Sequence, residues 1–381
     1  MTFAIVTHTV GRNDGQGRVN YEIVRAAVAR GHRVILVATH VDERLERSDA
    51  VTWIHIPVRR FPTELLRNQV FAWRSARWLR RNREMLDLVL ANGAITWPAA
   101  DVNVAHFVHG AWLQSPVHTM RTRSGPYAWY QGVYTAVNAL WERHAFRQAR
   151  AVVAVSGRVQ EELEAIGISP HKIRVIPNGV DLDEFTPGPP ERSRFGLPED
   201  VTLGALVGDL KTPRKNVDSV LRSMTRVPDF HLALAGRQEG SPYPAVAREL
   251  GVHDRVHFIG FCADVPALFR SVDVCLCPSR YEPFSLVLLE ALATGCPVIT
   301  SRNVGAAALL PTEAGWVIDD PTDICALTGT IYEVMRAKPL HRMKQAARDA
   351  AEQHSFDRMA AAYVDLLEET SCPAPAPVRR K

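Results

Sequence analysis

The sequence predicts an α/β protein built from two doubly wound parallel-sheet domains that face each other across a cleft. Three observations support this prediction: the length of 381 residues, the alternation of short β-branched runs with helical stretches, and a proline-rich break near the middle. Domains usually contain about 100–200 residues, so this length favours two of them. Strands that alternate with helices indicate βαβ units and parallel sheets.

Thirteen short runs rich in Val, Ile and Leu qualify as strands. Those of the first half are residues 3–9, 33–39, 51–56, 86–92, 102–109, 151–156 and 173–178, and those of the second half are residues 201–208, 230–236, 255–260, 272–278, 296–300 and 315–319. One open sheet rarely holds so many strands. We therefore expect two sheets of six or seven strands, one in each half of the chain.

The boundary between the two domains is predicted near the segment IPNGVDLDEFTPGPPE, which is rich in turn residues. We expect a first domain over residues 1–180 and a second over residues 181–354. An amphipathic pattern over residues 355–370 predicts a closing helix that returns to the first domain. The Pro- and Ala-rich tail, residues 371–381, is expected to be disordered.

Composition and charge exclude several classes of protein. Hydrophobic residues make up 46% and charged residues 23%, which is typical of a soluble globular protein and excludes collagen-like, disordered and disulfide-scaffold chains. The N-terminus lacks the basic segment of a signal peptide, and no run approaches the roughly 18 apolar residues of a membrane span. We therefore expect a cytoplasmic protein without a membrane-spanning helix.

Charge is distributed unevenly between the two halves. Residues 1–178 contain 23 Lys and Arg against 14 Asp and Glu, whereas the remainder contains 22 against 27. This asymmetry indicates different partners for the two domains, with an anionic surface or acceptor for the first.

The most informative segment is CPSRYEPFSLVLLEALATGCPVIT, residues 277–300. A predicted strand ends at Pro278, and a helix is predicted from about Phe284 to Thr294. Glu282 and Glu290 would then lie roughly 12 Å apart, too far to act on one bond as a glycosidase pair at roughly 5–9 Å does. With a helix N-terminus that suits phosphate between them, they fit the two ends of a nucleotide sugar.

Ordinary structural roles for the two glutamates remain the alternative. Glu282 would then be a first-turn charge and Glu290 a solvated helix residue. Glu290, however, is flanked by apolar residues in LVLLEALA, where a carboxylate is costly unless it has partners.

The segment EPFSLVLLE (282–290) resembles the E-x7-E signature of the retaining GT-B glycosyltransferases of family GT4. VSGRVQEEL (155–163), KIRVIPNGVDLDEF (172–185) and FIGFCADVPALFRSVDVCLCPS (258–279) are similar to other segments of that family, so the resemblance covers nearly the whole chain. It implies a GT-B fold whose first domain binds the acceptor and whose second binds the donor. It also implies that Glu282 binds the transferred sugar and Glu290 the ribose, with Phe284, Ser285 and Leu286 completing the donor site.

The loop VGDLKTPRKN (207–216) follows a predicted strand and carries basic residues that can neutralise a departing diphosphate. Lys215 matches the family's lysine with one residue inserted. Asp209 stands where the family usually has an arginine. Arg214 or Lys211 replaces that arginine in our interpretation, with Arg214 preferred; a solvated basic loop is the alternative.

Two further sites are expected in the first domain. The glycine-rich loop after the first strand makes neither a dinucleotide nor a Walker motif, and the resemblance places Gly15 and Gly17 near the donor phosphates; a plain turn is the alternative. His109 ends a predicted strand at the cleft, and the resemblance places it near the reacting sugar. We prefer His109 to His106, which would lie on the opposite face of the sheet.

No metal, other cofactor or nucleic-acid partner is expected. Asp181 and Asp183 spell DxD, the metal motif of the other major glycosyltransferase fold, but they lie in the predicted inter-domain passage. We interpret them as linker residues.

The resemblance implies transfer of a sugar, with net retention, from a UDP- or GDP-sugar to a hydroxyl of a glycan or lipid-linked acceptor in bacterial cell-surface polysaccharide or glycoconjugate synthesis. Glu282, Lys215 and His109 are the expected catalytic residues. Two alternatives remain: another GT-B enzyme such as a sugar-nucleotide epimerase, and a non-catalytic nucleotide-sugar-binding partner, which Asp209 favours.

Residues 59–83 contain eight arginines and one acid, Glu64. On a helical wheel one face collects Arg67, Arg74, Arg77 and Arg81, with Trp73 and Trp78 at its edges. Such a stripe predicts contact with an anionic membrane, here the inner face of the cell membrane. The alternative is a solvated helix whose arginine stems cover apolar surface.

Overall fold

A computed structural model describes residues 1–12, 15–58 and 60–371. The first sheet contains β1 (Thr2–Val10), β2 (Arg33–Val41), β3 (Val51–His55), β4 (Leu88–Asn92), β5 (Val102–Ala105), β6 (Ala151–Ala154) and β7 (Ile173–Val175). The second contains β8 (Thr202–Val207), β9 (Phe230–Ala235), β10 (Val256–Gly260), β11 (Val274–Cys277), β12 (Val298–Ser301) and β13 (Gly315–Ile318). All thirteen predicted strands are therefore present, divided between two sheets as expected.

Both sheets are parallel and doubly wound. The strand orders are β3-β2-β1-β4-β5-β6-β7 and β10-β9-β8-β11-β12-β13. Winding reverses between β1 and β4 in the first sheet and between β8 and β11 in the second. Because ligands of such sheets bind beyond the carboxyl ends of the strands at this reversal, the loops after these four strands position the candidate site.

The strands form near-continuous apolar runs because helices cover both faces of each sheet. Every residue of β4 and of β11 is buried, for example. A parallel strand buried on both faces needs apolar side chains at successive positions, which is why these runs were readable in the sequence.

Helices connect the strands in both halves of the chain. Those of the first half are α1 (Gly15–Ala29), α2 (Glu43–Glu46), α3 (Glu64–Asn82), α4 (His109–Gln114), α5 (Thr119–Thr122), α6 (Pro126–Gln148) and α7 (Gly157–Ala165). Those that follow are α8 (Val217–Met224), α9 (Tyr243–Glu249), α10 (Val265–Arg270), α11 (Leu286–Ala293), α12 (Ile324–Arg336), α13 (His341–Glu352) and α14 (Phe356–Ser371).

The last helix, α14, returns to the first sheet and packs against α1. Arg30 pairs with Asp365 at 2.5 Å, and His32 lies 2.7 Å from Glu368. The tail predicted to be disordered lies, beyond Ser371, outside the described residues.

The chain crosses between the two sheets twice, and the crossings touch. Val180 forms a parallel bridge with Ser355. A Cβ atom at Gly179 would lie 2.6 Å from the backbone of Phe356, so only glycine fits this close approach.

Asp181 ties the first crossing to α1. Its carboxylate accepts the backbone N–H groups of Asp183 at 3.1 Å and Glu184 at 3.0 Å, and it accepts Arg18 at 2.5 Å. These bonds hold the pKa of Asp181 below its ordinary value although burial acts in the opposite direction. The first aspartate of the DxD sequence thus fixes the linker to the first domain.

Helix α3 contains the arginine-rich segment and buries the side opposite the exposed arginines, including Phe71, Ala76 and Leu79. Four arginines were predicted to form an exposed stripe. Two of them instead donate hydrogen bonds to backbone carbonyls. Arg67 donates to the carbonyl of Phe61 at 2.7 Å, and Arg74 donates to the carbonyl of Pro57.

The loop before α3 lies beside the N-terminal part of the helix and supplies these carbonyls, which sequence periodicity does not reveal. Arg77 and Arg81 remain exposed, as does Arg80. In the described part of the chain, no helix combines the length and apolarity needed to cross a bilayer.

Candidate active site

The loop after β8 forms a tight turn that Asp209 closes. Gly208 turns the chain at a φ of +146°, a conformation that favours glycine. The Asp209 carboxylate accepts the backbone N–H of Lys211 at 2.9 Å and the hydroxyl of Thr212 at 2.7 Å. Aspartate commonly stabilises turns in this way, so its presence where the family usually has an arginine has a local structural reason.

Lys215 is the buried cation of this loop. It ends a 3₁₀ turn, Pro213–Lys215, and its Nζ lies 2.6 Å from Oε2 of Glu282. The two side chains are only 10% and 13% exposed. Arg214 lies 3.8 Å from the same carboxylate oxygen, whereas Lys211 is exposed. The structure thus places Arg214 rather than Lys211 beside Glu282.

Contacts that sequence reasoning missed hold the lysine turn in place. Arg280 donates to both carboxylate oxygens of Asp218, at 2.9 and 2.6 Å, and to the carbonyl of Pro213 at 3.1 Å. The hydroxyl of Tyr243 donates to the carbonyl of Thr212 at 3.1 Å. Because Arg280 precedes Glu282 by two residues, one segment carries the carboxylate and also fixes the lysine turn.

Glu282 lies in the irregular segment between β11 and α11. Its backbone N–H donates to Asn303 at 3.1 Å, and its carbonyl accepts the N–H of Gly305 at 2.9 Å. Burial favours the protonated acid, but Lys215 and Arg214 outweigh that effect and hold the pKa of Glu282 below its ordinary value. Glu282 is therefore a carboxylate able to accept hydrogen bonds from sugar hydroxyls.

Gly305 lets a second loop reach this segment. A Cβ atom there would lie 1.9 Å from the carbonyl oxygen of Pro283, so no other residue fits without moving the backbone. Gly305 was not among the predicted site residues, and the structure shows that it allows the close approach.

Helix α11 begins at Leu286, two residues later than predicted. Ser285 has a φ of +91°, a left-handed conformation that is incompatible with a helix and costly for a residue other than glycine. Its hydroxyl oxygen is buried. Phe284 is buried, and its carbonyl accepts the N–H of Ala306 at 2.8 Å. The free backbone N–H groups of a helix start suit a phosphate.

Glu290 lies on α11 within the same electrostatic neighbourhood. Burial raises the pKa of its carboxyl group to about 7; the nearby Glu184 adds to this rise and Lys215 opposes it. Glu290 is partly buried on α11, so it is not a fully solvated helix residue, and its contact with the ribose stays a prediction.

Residues of the first domain meet the Glu282 segment directly. The rings of Phe107 and Trp112 lie 5.8 and 5.0 Å from that of Tyr281. The hydroxyl of Ser156 donates to the carbonyl of Pro283 at 2.7 Å. The motif at the carboxyl end of β11 therefore lies in the cleft between the two sheets.

The glycine loop of the first domain faces the same cleft. Gly15 starts α1, and a Cβ atom there would lie 2.9 Å from the side chain of Leu286. Gly17 is buried, and its carbonyl accepts the N–H of Gly11 at 3.1 Å. Gly15 is thus at the cleft opposite α11, whereas Gly17 closes the loop behind it.

His109 starts helix α4 and does not end β5, which stops at Ala105. Its Nδ1 lies 2.7 Å from Glu142 Oε2, and Oε1 of Glu142 accepts the N–H of Gly110 at 2.9 Å. A carboxylate only accepts, so Nδ1 carries the proton and Nε2 is left for a substrate. Glu142, on the distant helix α6, was missed because nothing near His109 in the sequence points to it.

His106 and His109 line the same cavity, so the prediction that His106 lies on the opposite face was wrong. The alternation of faces holds only within a strand, and both residues follow the end of β5.

A second cavity, of about 450 Å³, opens at the carboxyl ends of β8, β9 and β10. Its lining is largely apolar and includes Gly208, Gly236, Arg237 and the 75% exposed Phe261. It adjoins Lys215, whose Cε lies 3.0 Å from the Cβ position of Gly208. Arg237 and Phe261 directly follow predicted strands, which is the signal that would have found them.

Two family models match the chain. The model of Glycosyltransferase Family 4 matches residues 13–184, and that of Glycosyl transferases group 1 matches residues 203–336. The chain belongs to glycosyltransferase family 4. The expected family is thereby confirmed.

Two curated relatives of this family 4 chain have the same name. A D-inositol 3-phosphate glycosyltransferase of Mycolicibacterium smegmatis is 28% identical over 304 residues, which are 76% of this chain and 69% of that protein. The protein of the same name from Mycobacterium bovis is 31% identical over 225 residues, 56% of this chain and 46% of its own length.

Solved structures confirm the GT-B fold. WaaG, a glycosyltransferase involved in lipopolysaccharide biosynthesis, is 24% identical with a TM-score of 0.75, covering 96% of this chain and 99% of its own. HepE of Anabaena, solved with UDP-glucose, is 18% identical with a TM-score of 0.70, covering 97% of this chain and 100% of its own.

The described residues of this family 4 chain contain no group of three or more His, Cys, Asp or Glu side chains arranged to hold a metal ion. The carboxylate of Asp181 is occupied by α1 and the linker backbone, as described above. That the protein works without a metal stays a prediction.

Proposed function

We propose that this chain is a retaining glycosyltransferase that moves a sugar from a nucleoside-diphosphate sugar to an acceptor hydroxyl. The observation that carries the proposal is the buried pair of Lys215 and Glu282, 2.6 Å apart at the carboxyl edge of the second sheet. A diphosphate needs a buried cation, and the hydroxyls of a sugar need a buried group that accepts hydrogen bonds. Lys215 and Glu282 place these two groups side by side at the cleft.

The donor would extend across the second domain from base to sugar. The apolar cavity beside Gly208 suits the base, and Glu290 would accept the ribose hydroxyls. Lys215, Arg214 and the start of α11 would stabilise the negative charge that develops on the departing diphosphate. Glu282 would accept hydroxyls of the transferred sugar. The structure of HepE contains UDP-glucose, which makes UDP-glucose the first probe, with GDP-sugars beside it.

Transfer with retention would proceed on one face of the sugar. The bond between the anomeric carbon and the diphosphate oxygen breaks, the acceptor hydroxyl bonds to the same carbon from the same side, and the hydroxyl proton leaves with the diphosphate. His109, with Nε2 facing substrate, would stabilise the reacting sugar. Such a transfer needs no nucleophilic side chain between the sugar and the acceptor hydroxyl.

A membrane-bound acceptor is part of the proposal. Arg77, Arg80 and Arg81 are exposed on α3, and Trp73 is 49% exposed beside them. On α6, Trp129 and Leu140 are each 71% exposed. Tyr130 and Tyr134 of α6 hydrogen-bond to α3, which makes these helices neighbours. Arginine beside exposed tryptophan suits an anionic lipid surface, and a lipid-linked acceptor for cell-surface glycoconjugates would lie there.

The test is ligand binding followed by product analysis. Thermal unfolding with UDP, UDP-sugars and GDP-sugars would show stabilisation by the correct donor, since a ligand raises stability with its concentration relative to Kd. NMR of the product would then give the anomeric configuration. Stabilisation by no nucleotide sugar would refute the donor site, and an inverted product would refute retention.

A further inference from the structure

A separate cavity of about 230 Å³ lies in the first domain beside His109. It opens at the carboxyl ends of β1, β4 and β5, where His8, Asn92 and His106 stand, and α6 closes it with Asn138. The volume is below the roughly 300–1,000 Å³ of sites for drug-sized ligands, so it suits a single ring of sugar size.

Two buried polar atoms of the cavity lining have no hydrogen-bond partner among the described residues. They are Oδ1 of Asn92 and Nε2 of His106. More than about nine in ten buried polar groups are partnered in folded proteins, and leaving one unpartnered costs about 1–3 kcal/mol. Such atoms in one cavity indicate a ligand that brings hydrogen-bonding groups.

A chain of amides holds one end of the Asn92 side chain away from the cavity. Its amide nitrogen donates to Asn20 at 3.0 Å, and Asn20 donates to Thr7 at 3.2 Å. The other end of the Asn92 amide is left without a partner, and either end of an amide can pair with a hydroxyl. Burial lowers the pKa of His106 to about 4, so its ring is neutral near pH 7 and offers one donor or one acceptor.

The described lining of the cavity offers no cation to a phosphate. Among its described lining residues there is no lysine or arginine, and burial lowers the pKa of His8 as well as that of His106. The one carboxylate of the lining, Glu142, is already bonded to His109 and Gly110.

Two described arginines on the neighbouring helices α3 and α5 are directed elsewhere. Arg67 bonds to Phe61 and Glu64, and Arg121 bonds to the carbonyls of Leu113 and Ser115. A phosphate in the cavity would therefore lose its water without gaining a charge partner, which is strongly unfavourable.

We propose that this cavity binds the acceptor as an uncharged polyhydroxylated ring, an unphosphorylated sugar or cyclitol unit, with Asn92 and His106 bonding to its hydroxyls. The proposal rests on the proposed transferase function and adds the chemical class of the acceptor. It excludes a phosphorylated cyclitol of the kind named for the curated relatives.

The test uses the full chain with the donor that stabilises it. Acceptor-dependent nucleotide release is measured with methyl glucoside, methyl galactoside and myo-inositol, and with glucose 6-phosphate, galactose 6-phosphate and inositol 3-phosphate. We expect release to rise with at least one uncharged ring, and kcat/KM for its phosphorylated counterpart to be lower by at least about 100-fold, since burying a phosphate without a charge partner is strongly unfavourable. Equal or faster release with a phosphorylated ring, or no response to any uncharged ring, would overturn the proposal.

Variants locate the effect in this cavity. His106→Phe and Asn92→Leu should each raise KM for the uncharged ring at least about tenfold, the size of one lost hydrogen bond, and leave donor-stabilised melting unchanged. Two variants are used because either one alone could unfold. Thr96→Val is the matched control, because Thr96 is buried on the same loop and bonds to Ser75 outside the cavity.

An unchanged KM in both folded variants would overturn the assignment. If the parent chain shows neither donor binding nor nucleotide release, the transferase function itself is refuted. The two failures are therefore distinguishable.

Discussion

Glu290 is the carboxyl group whose ionisation links the donor site to pH. Burial, followed by Glu184, raises its pKa to about 7, above the value near 4.5 expected in an unfolded chain. A raised carboxyl pKa favours folding below the unfolded value, and this contribution is lost as pH rises through the folded value.

Glu290→Gln should therefore stabilise the protein at about pH 8 and change little at about pH 5. At about 1.4 kcal/mol per pKa unit, the gain at the higher pH is up to about 3 kcal/mol. Urea unfolding at both pH values measures it, with the exposed Glu84→Gln as control. An equal effect of Glu290→Gln at both pH values would show that its ionisation is unrelated to stability.

Glu142 is a positioning residue for His109. Glu142→Gln would present an amide donor to Nδ1 and shift the proton to Nε2. Turnover should fall at least about tenfold, which is part of the 10²–10³-fold loss typical of removing one stabilising group. The pH profile of turnover should also change, whereas donor affinity should stay constant. Kinetics against pH measure this, with the exposed Glu161→Gln as control. Parallel losses of kcat and donor affinity would indicate a merely structural role.

At the scale of elements, the two crossings between the sheets depend on one glycine. Gly179→Ala would place Cβ 2.6 Å from the backbone of Phe356 and should lower the free energy of unfolding by about 1–3 kcal/mol, as overpacking does. Gly157→Ala is the control, because nothing lies within 4 Å of the added atom. Denaturant unfolding compares the two, and equal stabilities would refute the close packing of the crossings.

Strands were predictable and loops were only partly so, for one physical reason. Buried parallel strands require apolar runs, and those are local in the sequence. The start of α11 is set instead by the strained Ser285, and the lysine turn by Arg280, 62 residues from its partner Asp218. Lys215 and Glu282 were nevertheless predicted, because each follows the end of a strand in a motif that indicates its chemistry.

At the scale of the whole molecule, the two sheets turn the carboxyl ends of their strands toward one cleft, and α3 and α6 present arginine and tryptophan on the outside of the first domain. The protein should bind vesicles that contain anionic lipid at low salt. This binding should weaken as the salt concentration rises to about 0.15 M, because the Debye length shortens to about 8 Å. Arg77→Glu with Arg81→Glu should abolish this binding and leave donor-dependent turnover intact.

Arg222→Glu with Arg248→Glu is the matched control for membrane binding, since both arginines are exposed on the second domain. Co-sedimentation with vesicles measures all three proteins. Equal binding to uncharged vesicles, or equal loss in both double variants, would contradict a specific basic surface on α3.

The central claim is that the pair of Lys215 and Glu282 holds the donor at the bond that breaks. The most direct measurement is nucleotide release from the donor by Lys215→Ala and by Glu282→Ala, beside Arg222→Ala, which is exposed on α8 of the same domain. We expect the first two rates to fall at least about 100-fold, as for other charge contacts of a transition state, and the third to stay near that of the parent chain. Near-parental rates in both Lys215→Ala and Glu282→Ala would contradict the claim.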